Sequence, residues 1–202
     1  MKLELVKHLD NVRDTVTEVD RIVSSHRYPS DTRTVMVMGL LSTMIQHHRG
    51  ILQLIKSANV GSSYALTRDI VKAMRYGLWI NCCATAEQIL RVQEDDEFPL
   101  SILDMTKQIE ASYSTDPFFE SLKNSWGTQL YKYTRSDVVH VGRWHIDSRS
   151  GLDHDDAEIR DVTTIATLCI VLLARVFLAG QGHSADCGQL ETLAAHYGNR
   201  VP

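Results

Sequence analysis

The residues best suited to chemistry lie between positions 132 and 149. Arg135-Ser136-Asp137-Val138-Val139-His140 sets an arginine five positions ahead of a histidine, and Lys132, Tyr133, Arg143, Trp144, His145 and Arg149 stand around the pair. A guanidinium presents a fixed fork of donors that matches phosphate oxygens. An imidazole titrates near neutral pH and can move a proton in a transition state. The chemistry implied is phosphate contact with proton transfer. Residues at i and i+5 on a helix do not face one another directly, so Arg135 and His140 converge only at a helix end or across two copies of the chain. Arg143, Lys132 and Arg68 are candidate phosphate-binding cations, and His145 a candidate assistant to His140. The plainer alternative is a surface arginine and a hydrogen-bonded loop histidine, with Trp144 covering the core while the arginines face water.

Other residues offer weaker chemistry. Arg68 and Arg75 lie seven apart on one helix face. A buried arginine needs an acidic partner, so the structural reading is an ion pair between helices, and the functional one puts Arg68 at the rim of a pocket shared with His140. His47 and His48 point about 100° apart on a helix and do not chelate one ion together. Either could join His140 or His145 across helices, with Asp147, Asp153 and His154 as further ligands. No His-x3-His or Glu-x-x-His spacing occurs, and the expectation is no metal and no cofactor. Cys82, Cys83, Cys169 and Cys187 form no Cys-x-x-Cys pair and read as reduced thiols. Gly180-Gln181-Gly182-His183 reads as a helix stop, not a phosphate loop.

Helices must position these groups. Leu3, Val6, Leu9, Val12, Val16, Val19, Ile22 and Val23 recur at three- and four-residue steps, an amphipathic helix over 1–28. Ser30 or Asp31 caps a second helix that ends near Asn59-Val60-Gly61. A third runs from about Ser62 into the nineties, and a shorter one carries Ile102, Leu103 and Ile109. Asp116-Pro117 starts another, with proline at the first helical position. From Ser136 to His154 periodicity is poor, so this stretch reads as a long connection. Asp155-Asp156-Ala157-Glu158 opens a helix that reaches Ala179, where acids suit the dipole. The fold class expected is all-α, an antiparallel bundle of five to seven helices with two long ones at its centre. It forms a single domain over 1–202, with the bundle proper at 30–180 and a short tail at 181–202.

The chain has 202 residues, 44% of them hydrophobic, and a net charge of −4. A chain this long buries roughly 70% of its unfolded surface without disulfides. The acidic balance excludes a basic nucleic-acid coat, so any RNA contact must be local. Val162–Ala179 is apolar but holds Arg175 and three threonines, and reads as a core helix in place of a membrane span. The N-terminus lacks a signal-peptide core. The expectation is a cytoplasmic protein with no membrane partner.

Two stretches carry a resemblance. Met44-Ile45-Gln46-His47-His48-Arg49-Gly50-Ile51-Leu52 leads into Ser63-Tyr64-Ala65-Leu66-Thr67-Arg68-Asp69 and Met74-Arg75-Tyr76-Gly77-Leu78-Trp79, with Trp126 and Leu130-Tyr131-Lys132-Tyr133-Thr134 downstream. Over about 40–180 the chain resembles a set of bacterial helical proteins that are in turn similar to the HEPN superfamily, whose signature is Arg-x4-6-His. Where this set often carries histidine after Tyr-Thr, the chain has Arg135. The resemblance implies a metal-independent endoribonuclease of a toxin or phage-defence module. It also implies RNA as substrate, an antitoxin or defence partner, and a homodimer in which two Arg/His motifs line one cleft; the stripe of the first helix could supply the dimer surface. In that reading Arg135, His140 and His145 are catalytic. The alternatives are a non-catalytic module that binds a nucleotide or protein, and a metal-dependent bundle enzyme.

Overall fold

A computed structural model describes residues 2–95, 98–121 and 156–198. All regular structure among them is helical: α1 (Leu3–Ser24), α2 (Thr32–Lys56), α3 (Val60–Cys82), α4 (Ala86–Asp95), α5 (Ile102–Ser112), α6 (Asp156–Gly180) and α7 (Ser184–Gly198). A further helical turn occupies 117–121. The all-α bundle expected from periodicity is therefore what forms.

Its organisation follows from α6. From Val162 to Leu178 every residue except Arg175 is buried, so this helix has no polar face to give to water and must be surrounded. By length and apolarity it would suffice to cross a membrane, but 89% of its most apolar window is buried by the rest of the chain. Contacts to α6 climb in step along α1 (Lys2 with Asp156, His8 with Thr163) and along α3 (Tyr64 with Glu158, Asn81 with Val176), so both run parallel to it. α2 meets it the other way round, and α7 folds back after a tight turn. One helix, not two, forms the centre.

The apolar stripe of α1 packs inside this arrangement: Leu5, Leu9, Val12, Val16, Val19, Ile22 and Val23 are all buried. Leu3 stays exposed and Val6 is only partly buried, while the stripe from Leu9 onward is covered within the chain. At 25 cal/mol per Å² such residues each contribute about 1.5–3 kcal/mol. Gly77 allows α3 to approach α6 closely; a Cβ there would sit 2.6 Å from the Cδ2 of Leu173.

Two expected boundaries are corrected. The third helix breaks at Cys83–Thr85, because Thr85 and Gln88 form a reciprocal capping box, Gln88 N–H to Thr85 Oγ1 at 3.2 Å and Thr85 N–H to Gln88 Oε1 at 2.9 Å. The Arg33 guanidinium donates to the carbonyls of Ile80, Asn81 and Ala84, satisfying the end of α3 from α2. The residues read as a tail instead form α7, whose Cys187, Leu190, Ala194 and Tyr197 are buried. Asp31 caps α2 as expected, accepting from Thr34 N–H at 3.1 Å.

Candidate functional site

Arg135, His140, His145, Arg143 and Lys132 all lie outside the described residues, as do Asp147, Asp153 and His154. The flanks of that stretch are described. Asp116 accepts from the amides of Phe118 and Phe119 at 2.9 and 3.0 Å, and its other oxygen pairs with Arg175 of α6. Arg175 also reaches Glu191 of α7 at 2.9 Å and lies 5.2 Å over the Phe118 ring. Burial pushes the Asp116 carboxyl up, but the Phe119 amide and Arg175 outweigh it and hold the group below its ordinary range. At the other flank Asp156 pairs with Lys2 at 3.1 Å. Arg68 is half-buried on α3, with its proposed neighbour His140 outside the described residues.

Four of the described histidines form two pairs. His8 of α1 and His48 of α2 are 5% and 1% exposed. Their Nε2 atoms lie 2.9 Å from Thr163 Oγ1 and 3.0 Å from Thr167 Oγ1, one turn apart on α6. Thr163 donates its hydroxyl proton to the Ile159 carbonyl at 2.8 Å, and Thr167 to the Thr163 carbonyl at 2.8 Å. Both hydroxyls can then only accept, so each imidazole donates from Nε2. Burial and then the charge of Arg49 hold His48 down at about 4, a neutral core histidine. Its neighbour His47 turns elsewhere, with Nδ1 buried and lacking a hydrogen-bond partner among the described residues.

The second group sits at the rim where α1 ends and α6 turns into α7. Gly182 adopts φ +83° and the His183 amide donates back to the Leu178 carbonyl at 2.9 Å, a left-handed helix stop that fixes His183 at the start of α7. Asp186 lies in the first turn of that helix. His26, just past α1, donates from Nε2 to Asp186 Oδ2 at 2.9 Å, and its ring stacks on His183 with centroids 3.8 Å apart. Tyr28 backs both imidazoles, at 6.2 and 6.0 Å, and packs on Phe177 at 4.9 Å. One ligand atom from each of His26, His183 and Asp186 lies within 4.8 Å of the other two. None of the three was singled out as a ligand in the sequence; the spacing His183-x-x-Asp186 after a glycine stop was the available signal, but its third member lies 157 positions upstream of His183.

Burial pushes Cys169 up to about 12 and raises Cys82, which contacts the Tyr113 hydroxyl. No protein-family model, curated protein or solved structure matches the chain. The fold and its polar clusters define an all-α bundle protein built around one helix that is buried from Val162 to Leu178 save for Arg175.

Proposed function

We propose that this protein is a HEPN-like, metal-independent endoribonuclease, with Arg135 and His140 as its reacting pair. The observation that carries the reading is the Arg-x4-His sequence set among Lys132, Arg143 and Arg149 in a chain whose overall charge is −4. An all-α bundle suits it as scaffold. His140 takes the proton of the 2′-hydroxyl, and Arg135 neutralises charge developing on the phosphate, with Arg143 and Lys132 holding neighbouring phosphates. The substrate's own 2′-oxygen bonds to phosphorus as the P–O5′ bond breaks, the 5′-oxygen leaves and takes up a proton, and the products are a 2′,3′-cyclic phosphate and a 5′-hydroxyl. Two copies facing one another would complete the cleft.

The test is cleavage of total RNA by the purified chain in the presence of EDTA, with 3′-end analysis. General acid–base catalysis contributes roughly 10²–10⁴-fold, and His140→Ala should lower cleavage by that factor with an unchanged melting temperature. Wild-type protein that neither cuts RNA nor slows growth on expression overturns the enzyme reading in favour of a binding module. If His140→Ala unfolds the chain, the histidine is structural.

A further inference from the structure

We propose that His26, His183 and Asp186 form a binding site for a divalent transition-metal ion of the zinc class, one that ties α7 to the end of α1 and leaves coordination positions open to water. The proposal does not rest on the ribonuclease reading, since it uses none of the same residues.

The donor set is two imidazole nitrogens and one carboxylate oxygen. Nitrogen-rich sets of this kind favour zinc and its first-row neighbours over calcium or magnesium, which take oxygen ligands. Three protein ligands with water at the remaining position is the pattern of an open zinc site. Zinc bonds of 2.0–2.2 Å place tetrahedral donors roughly 3.3 Å apart. His26 Nε2 and Asp186 Oδ2 are already closer than that, at 2.9 Å, and one donor atom from each of the three residues lies within 4.8 Å of the other two.

Coordination asks for two local changes. The His26 Nε2 must give up the proton it now shares with Asp186 before it can bind an ion. The two stacked rings must also splay until their lone pairs share a centre. Both changes are open to side chains that are not enclosed: His26 and Asp186 side chains are 24% and 29% exposed. The backbone beneath is held fixed, by the Gly182 stop on one side and by Tyr28, whose hydroxyl donates to the Val23 carbonyl at 2.8 Å, on the other. Arg21, which feels the charge of Asp186, is engaged by Glu18 at 2.6 and 2.8 Å. Cys187 is no fourth ligand: its thiol points to the carbonyls of Arg175 and His183, both at 3.5 Å, and burial keeps it protonated.

The ion would join positions 26 and 183, at opposite ends of the chain, so folding and binding must be coupled. At a hundred times its Kd, zinc should raise the Tm by roughly 5–10 °C. The experiment takes the full chain, stripped with EDTA and dialysed, and titrates it with zinc by calorimetry and with cobalt by visible absorption. The expected result is one ion per chain, with affinity lowered at least about tenfold by His26→Ala, His183→Ala and Asp186→Asn. His196→Ala, an exposed histidine at the far end of α7, should bind as wild type does. Absence of stoichiometric uptake overturns the proposal, and so does uptake that survives both His183→Ala and Asp186→Asn. Asp186→Asn keeps the volume of the side chain, and so reports on coordination even if an alanine variant fails to fold. RNA cleavage measured in EDTA is a separate readout, so either idea can fail alone.

Discussion

Four histidines in this molecule share a side chain and differ in everything that surrounds it. His8 and His48 are sealed against α6 and donate to threonine hydroxyls that have already committed their own protons. His26 and His183 stand at the rim, stacked on one another beside a carboxylate. In the core, burial holds His48 neutral, and low dielectric makes any unmet hydrogen bond costly. At the rim, water competes for each contact, so the same groups contribute little to stability and remain available to a ligand. The core pair thus belongs to folding, and the rim pair to binding.

Acid should expose the difference most strongly. His48 is held at about 4 against an ordinary value of 6.5, first by burial and then by Arg49. Between those pH values the unfolded chain takes up a proton that the folded chain refuses. Stability is therefore complete above pH 6.5 and falls on acidification, by about 3 kcal/mol at pH 4 from this residue. Denaturant titrations across pH 4–7 check this, and His48→Gln should flatten the slope by nearly one proton. An unchanged slope would show that His48 is not the group responsible.

Thr167→Val comes next. It keeps the shape of the side chain and strands the His48 N–H, for an expected loss of roughly 1–3 kcal/mol in urea unfolding. Gly182→Ala should cost about 1 kcal/mol, because its φ of +83° lies in the left-handed region while no atom lies within 4 Å of the added Cβ. This loss is purely one of backbone strain, and it should also weaken ion uptake by moving His183. The smallest effect belongs to His26→Ala: measured in EDTA, it should change stability by under about 1 kcal/mol. A loss as large as that of Thr167→Val would make the rim pair structural and erase the contrast.

Much of the helical layout was legible in the residues. The stripe of α1, the Asp31 cap and the proline start after Asp116 depend on neighbours within one turn, where local energetics decide. The division of α3 from α4 was also local, in Thr85-x-x-Gln88, but an apolar run continuing through Cys82 and Cys83 concealed it. α7 carries little local signal, because its fifteen residues include glycine at both 188 and 198 and only a thin apolar face; its helix is stabilised by docking on α6 and α1, not by propensity.

The sequence by itself determined that this protein is helical and where most helices begin, and it marked Val162–Ala179 as a core helix, since periodicity and capping act over a few residues. It also marked the Arg135–His140 cluster as chemically capable. Only the tertiary structure decided which histidines are inside and which are outside. It brought residues 26, 183 and 186 to one place, and it turned the α1 stripe inward. Those outcomes depend on how helices pack around α6, and packing joins residues whose separation along the chain carries no local signal.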